Sequence, residues 1–522
     1  MTTTEGYKID DFILSLEADR WLFHADILVD KAHVVMLKER GIIKKAAAAI
    51  LNCLSEIEER SADFIEHELP QYEDVHTAIE SVMIREIGAD VGGRMHTGRS
   101  RNDEVATCIR IALRTELFEL LEAVNGLRSA LLAKAAAHVD TLMPGYTHLQ
   151  HAQATTFGHH ALAHADAFAR DFPRLISAYE RTNVCPLGAA AFASTGYPID
   201  RDRTARLLGF DAVLENSMDA VSTRDFVIET ISSCANLMTT LSRLAEELIL
   251  WSTSEFDFIR VPAEYVTGSS IMPQKRNPDY AELVRARAGT VYGCLTSVLF
   301  ICKALPYSYN RDLQEVTPHL LRAVKTTTAS VAVMKSMIEG LEVKKDEMDQ
   351  QAPRGFTAAT ELADTIVRET GLPFRTAHKI VSSLAPVLTD ENWELLNDKE
   401  AEKAFVAEIL HKIDEIALEI AGKKLSEKRL TEKKVKEALN IASNVQKRNV
   451  KGGPAKKEVQ RMIDRRKADL EKDERTRQEK AEQVKRSLDE LEREVKRKKR
   501  VIKVIRKPNP NAVVGRIKDM RK

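Results

Sequence analysis

An all-α fold, with a central bundle of long helices flanked by smaller N- and C-terminal helical domains, is the prediction of the 522-residue sequence, and three observations make it. Gly (22) and Pro (16) are sparse, so the chain lacks the punctuation that turn-rich β-folds require. Apolar residues recur every three or four positions over stretches of 23 to 37 residues, the helical period. No sustained period-two alternation competes with it. With 44% hydrophobic and 30% charged residues the chain can bury a sizeable core, which excludes a wholly disordered polymer.

The elements follow in order. DRWLFHADILVDKAHVVMLKERG predicts an early helix that stops at Gly41. From Asp103 to Val139 only Gly126 interrupts good helix formers. Ile109, Leu113, Leu117, Leu120, Val124, Leu127 and Leu131 line one face of a helix some ten turns long. Comparable stretches at 155–181, 224–252, 278–304 and 318–340 complete a five-helix bundle. A smaller helical region, 350–464, is interrupted at Gly371-Leu372-Pro373 and Gly452-Gly453-Pro454. The charged run 455–500 has too few apolar positions for its own core and predicts a solvated helix docked on its neighbours. The domain division expected is 1–104, 105–345, 346–465 and 466–522.

The net charge of zero conceals an asymmetry. Residues 496–522 carry 12 Lys and Arg against one acid, a local net of +11, which leaves the remainder at −11. The tail holds no aromatic residue, so a base-stacking platform is absent and nucleic acid is not the expected partner. The six cysteines are scattered without a CxxC pair, which argues against a disulfide framework or a thiolate zinc site. The N-terminus MTTTEGYKIDDF has no basic-then-apolar signal, and no uncharged apolar run reaches membrane-spanning length. A protein of the reducing cytoplasm is expected.

Four polar segments exceed what core packing requires. In Thr97–Asp103, Ser100, Asn102 or Asp103 can cap the longest helix, while Arg99 and Arg101 beside free N–H groups suit a carboxylate. In Pro144–Gln153, His148 stands beside Thr147 and Gln150 in a polar turn, where it is either structural or a proton carrier. In Gly268–Asp279, Ser269, Lys275 and Asn277 fall in a loop that suits a lid; a lysine near a serine eases alkoxide formation. Glu282 follows on the next helix, placed to pair with a histidine from elsewhere. Tyr307–Glu315 is either a solvated loop or a source of substrate contacts.

At these residues the chain resembles a known family. GSSIMPQKRNP resembles the signature of the fumarase/aspartase superfamily, whose members release fumarate from succinyl compounds. HTGRSRND, PGYTHLQ, NSMDAVSTRDF, MPQKRNPD and YNRDLQE are similar to the argininosuccinate lyase branch, the likeness running from about Ser15 to the GGPA element at Gly452–Ala455. Adenylosuccinate lyases typically have His at the position of Gln274, and fumarases and aspartases Gly. The resemblance implies Ser269 as the base that removes the Cβ proton, with Lys275 and Asn277 holding the carboxylate that gathers charge. His148 and Glu282 become a His–carboxylate pair serving the leaving guanidinium. Arg99, Ser100, Arg101, Asn102 and Thr147 bind the succinyl carboxylates, and Ser15, Tyr309 and Gln314 the arginine end. It further implies a homotetramer whose active sites are each built from three subunits, with neither a metal nor an organic cofactor; the sequence shows no ligand cluster for a metal.

Some positions depart from the family's pattern. Val316-Thr317 replaces a common Asp-Lys, and His151 and Ala154 stand where Arg and Pro are usual. The charged extension after Asp464 exceeds the usual length. Two alternatives follow: another fumarate-releasing lyase acting on adenylosuccinate, aspartate or malate, or a non-enzymatic, crystallin-like structural role. Gln274 and the TGRSRND segment oppose the first, and joint retention of Ser269, His148, Lys275 and Glu282 opposes the second.

Overall fold

The computed structural model of the chain describes residues 12–386, 388 and 399–499, together with two short strands, Thr3–Thr4 and Tyr7–Lys8. The principal helices are α1 (Leu16–Glu39), α2 (Ala47–Glu59), α3 (Val75–Ile87), α4 (Arg101–Ala137), α5 (Phe157–Thr182), α6 (Arg201–Leu208), α7 (Asp225–Trp251), α8 (Asp279–Cys302) and α9 (Val316–Gly340). Beyond them lie α10 (Ala359–Thr370), α11 (Phe374–Leu384), α12 (Lys399–Ala421), α13 (Glu432–Leu439), α14 (Ile441–Lys447) and α15 (Lys456–Lys499). The strands among the described residues are two-residue ladders, so the all-α expectation holds.

Helix α4 begins two residues earlier than the periodicity alone suggests, because Ser100 caps it. The Ser100 side chain accepts from the Asn102 N–H at 3.3 Å, and the Ser100 N–H donates back to Asp103 at 3.0 Å. Gly98, at φ +73°, makes the turn into this cap. Helices α4, α5, α7, α8 and α9 pack together as the central bundle. Leu113, Leu117 and Leu127 of α4, Leu237, Leu241 and Leu248 of α7 and Val324 and Met334 of α9 belong to one continuous core, all fully buried. Truncating any one of these leucines to Ala costs about 2–5 kcal/mol.

Helix α8 is the exception. It buries only one narrow stripe, Ala281, Val284, Ala288, Val291, Cys294 and Val298. Leu283 (52%), Leu299 (46%) and Phe300 (65%) of the same helix stay exposed, an apolar face without a partner inside one chain.

Helices α10–α14 enclose a separate core that includes Leu362, Ile380, Ile413 and Val435. Gly371 at φ +69° closes α10, as the Gly-Leu-Pro interruption predicts. Helix α15 then returns to the body and packs on α4, α6, α2, α1 and α5. It runs unbroken through residue 465, the expected boundary between the last two units, and spans about 66 Å at the usual rise. Val459, Ile463, Leu491 and Val495 point inward. Its charges meet fixed partners: Arg466 with Asp166 at 2.6 Å, Asp473 with Arg128 at 2.7 Å, and Glu492 with the buried Lys31 at 2.7 Å. The solvated, docked helix of the sequence reading is what forms. It extends to Lys499, and Lys498 pairs with Glu39 at 2.7 Å; the remainder of the basic tail, 500–522, lies outside the described residues.

Candidate active site

A cavity of about 460 Å³ opens where the N-terminus of α1, the turn into α3, the N-terminus of α4 and the 310 turn Arg311–Glu315 meet. Each wall is fixed by local chemistry. Asp74 caps α3 by accepting from the Thr77 N–H at 2.7 Å, and its other oxygen lies 3.1 Å from Arg101. Arg101 also donates to the Thr77 hydroxyl at 2.7 Å. Ser15 donates to Asp19 at 2.7 Å, one turn along α1. Arg311 donates to the Ile13 carbonyl at 3.0 Å and to Glu73 at 2.5 Å, while Gln314 donates to the same carbonyl at 3.2 Å. Arg224, buried just before α7, contributes a third guanidinium. Burial pushes the Asp19 carboxyl up to about 6, against the nearby positive charge of His76.

Beneath the cavity three carboxyl groups share two cations. His76 Nδ1 lies 2.9 Å from Asp26, and Arg99 lies 2.5 Å from Asp30 and 2.9 Å from Glu104. All five side chains are almost fully withdrawn from solvent. Burial would lower the His76 imidazole, but the charge and contact of Asp26, helped by Glu104 and Asp74, outweigh it and hold His76 at about 10. Burial lifts Asp30 to about 7 in spite of Arg99, and lifts Glu104 well above the carboxylate range. His33 goes the other way, down to about 3, through burial and the charge of Arg99.

Two further polar sites lie elsewhere on the surface. In the hairpin of Tyr146–Thr147 with Gln150–His151, the exposed His148 occupies the turn at φ +56°. Gly145 is required at its entry, because a Cβ there would sit 2.3 Å from the Gln153 carbonyl. The hairpin packs against the turn at Gly355. In the second, Thr267–Gly268 pairs with Arg276–Asn277, and the intervening loop carries Ser269 and Lys275. The Ser269 hydroxyl accepts from the N–H groups of Ile271 (3.3 Å) and Met272 (3.1 Å). Thr267 donates to Asp279 and so ties the loop to the start of α8, where Glu282 is exposed. Ile271, at the loop's tip, is 83% exposed, and such an apolar tip suits a lid that closes on something.

Residues 8–293 match the family described as Lyase, and residues 356–446 match Argininosuccinate lyase C-terminal. The argininosuccinate lyase of Methanosarcina barkeri is 54% identical over 472 residues, 90% of this chain and 92% of that protein. This chain belongs to the argininosuccinate lyase family. The argininosuccinate lyase of Methanocaldococcus jannaschii is 46% identical over 453 residues, covering 87% of this chain and 89% of that one. Among solved structures, EDDS lyase in complex with formate superposes with a TM-score of 0.80 at 32% identity, over 94% of this chain and 95% of that one. A fumarate lyase from Mesorhizobium sp. BNC1 shares the fold, with a TM-score of 0.67 at 22% identity over 88% and 99% of the two chains. The fold is therefore the fumarase/aspartase one.

The residues that the family resemblance singles out divide among the three places. Ser15, Ser100, Arg101, Asn102, Tyr309 and Gln314 line the cavity. Thr147 and His148 stand on the first hairpin, and Ser269, Lys275, Asn277 and Glu282 on or beside the second. Arg99 joins none of them: its guanidinium is enclosed between Asp30 and Glu104, so within one chain it faces the charge cluster and not the cavity. Asp19, His76, Arg224 and Arg311 line the cavity without having been singled out as candidates. Arg224 and Arg311 lay inside the quoted STRDF and YNRDLQE segments. Asp19 and His76 gave no signal, because a lone acid or histidine on a helix reads as an ordinary surface or core residue. Thr317, which replaces the family's usual Lys, forms part of the wall.

Proposed function

We propose that the protein cleaves argininosuccinate to arginine and fumarate by β-elimination, the closing step of arginine biosynthesis, acting in the cytoplasm as a homotetramer. The observation that carries this is the 54% identity to the Methanosarcina barkeri enzyme over 90% of the chain. A cavity with three guanidiniums and several carboxylates suits a substrate that has three carboxylates and a guanidinium of its own. A variant of EDDS lyase with bound fumarate, 33% identical with a TM-score of 0.82, supports a fumarate-releasing reaction.

In this proposal Ser269, as the alkoxide, takes the Cβ proton. The electron pair passes into the adjacent carboxylate, whose doubled charge Lys275 and Asn277 stabilise more strongly than they stabilise the substrate. The Cα–N bond then breaks, its electrons leave with the guanidine nitrogen, and the carbon–carbon double bond of fumarate forms. His148, oriented by Glu282, serves proton transfer to that nitrogen. The cavity residues Ser100, Arg101 and Asn102 hold succinyl carboxylates, and Ser15, Tyr309 and Gln314 the arginine end; Arg99 acts through the charge cluster that positions them.

One chain keeps the cavity, the His148 hairpin and the Ser269 loop apart, and it leaves the apolar face of α8 uncovered. A tetramer in which different subunits contribute the three pieces resolves both facts, because covering α8 brings foreign loops alongside. Among the described residues no helix is long and apolar enough to cross a membrane. All six cysteines are free thiols, which suits a reducing compartment.

The test is purified protein with argininosuccinate, arginine and fumarate being measured, while adenylosuccinate, aspartate, malate and ethylenediamine disuccinate run in parallel. Equimolar arginine and fumarate, with little turnover of the others, is expected. Preference for any other substrate, or no turnover at all, would overturn the assignment.

A further inference from the structure

Helix α5 carries two histidines one turn apart, His160 and His164, and α7 packs against it with Glu247 opposite. The spacing of four places both imidazoles on one face of the helix. Both Nε2 atoms converge on one carboxylate oxygen: that of His160 lies 2.7 Å and that of His164 2.6 Å from Glu247 Oε2. The His160 ring is held edge-on by Trp251, with centroids 4.9 Å apart. Phe157, Leu244 and Leu248 border the same narrow recess, whose one charged wall residue, Lys134, donates to the Leu341 carbonyl at 2.6 Å. The three side chains keep 29%, 12% and 33% of their surface, which leaves one open side.

We propose that His160, His164 and Glu247 bind a divalent transition-metal ion of the zinc class, with a water completing the coordination. Two neutral imidazoles and a carboxylate are a donor set that suits zinc and its transition-metal neighbours, whereas calcium and magnesium select oxygen ligands. At bond lengths of about 2.0–2.2 Å, tetrahedral donors stand roughly 3.3 Å apart, so each imidazole nitrogen needs to draw back from the Glu247 oxygen by only roughly 0.6–0.7 Å. The ion would clamp α5 to α7 within the bundle. None of the three residues lines the cavity, and the proposed elimination passes through none of them. The sequence reading found no ligand cluster because Glu247 lies 83 residues beyond His164, and only the packing of α5 on α7 unites them.

A purely structural role, two hydrogen bonds to one carboxylate, predicts a different result. Full-length protein is stripped with a chelator, desalted and titrated with zinc chloride by calorimetry, and in parallel with cobalt(II) by visible absorption. One ion per chain is expected, together with the intense visible bands of four-coordinate cobalt and a Tm that rises with zinc concentration. His164→Ala and Glu247→Gln should each weaken binding by more than about tenfold. His411→Ala, at the exposed His411–Glu415 pair of α12, should leave the stoichiometry unchanged. Absence of saturable uptake by the wild-type protein overturns the proposal, and that measurement stands even if a variant does not fold. Undiminished binding in both site variants, or its loss in His411→Ala, overturns it as well.

Discussion

Arg99→Met removes the guanidinium that holds Asp30 and Glu104 beneath the cavity while keeping most of the side-chain volume. The Arg99 side chain is inaccessible and lies 2.5 Å and 2.9 Å from its two partners, so the change leaves buried carboxyl groups with only His76 to balance them. Breaking a buried ion pair from one side costs about 3–5 kcal/mol. The loss carries a pH signature. Asp30 already sits at about 7 with Arg99 present, and without the cation it moves higher. A carboxyl raised in the folded state contributes stability at low pH that is lost as pH rises through its folded value. In the wild type that loss levels off as pH rises through about 7. In the variant it continues above pH 7, at no more than about 1.4 kcal/mol per pH unit. Thermal unfolding of both proteins at pH 6, 7 and 8.5 measures this. The expected result is a lower Tm for the variant at every pH, with the gap widening toward pH 8.5. An unchanged Tm, or a gap independent of pH, would refute the assignment of Arg99 to the charge cluster.

His148→Asn should cut turnover severely but not abolish it, because the carbanion site survives; an unchanged pH–rate profile would count against a proton-transfer role. Lys275→Met should lower kcat far more than it raises KM if the lysine acts on charge that develops in the transition state, whereas a raised KM with normal kcat would make it a simple anchor. Deleting 500–522 should leave kcat nearly unchanged. Deleting 496–522 also removes the Lys498–Glu39 pair and should lower the Tm, and abolished activity with the shorter deletion would place the tail in the active site.

The bundle was legible in the sequence because long helices announce themselves through period and through the scarcity of Gly and Pro. The start of α4 depended on Ser100 and Asp103, a local signal that was visible. The role of Arg99 was not legible. Its neighbours Arg101 and Asn102 point into the cavity, and only the packing of α1 against α4 turns Arg99 toward Asp30. His76 was hidden for the same reason, since its partner Asp26 lies 50 residues earlier on α1. The hairpins carrying His148 and Ser269 could be found from their polar composition, but composition says nothing about which other surface they serve. The docking of α15 was readable in outline from its few apolar positions, yet its individual pairs, such as Lys31 with Glu492, are long-range and carry no sequence signature.

In the proposed assembly the cavity of one subunit works with the Ser269 loop of another. Arg101→Met disables the cavity and Ser269→Ala the loop, and each protein alone should be inactive toward argininosuccinate. Subunits of the two variants, dissociated, mixed in equal amounts and reassociated, then report on the claim. Sites assembled from different subunits should restore about a quarter of wild-type arginine and fumarate release, the share of sites receiving both intact parts. Mixed assemblies that remain inactive would show that each subunit builds its own site, and would contradict the shared-site proposal.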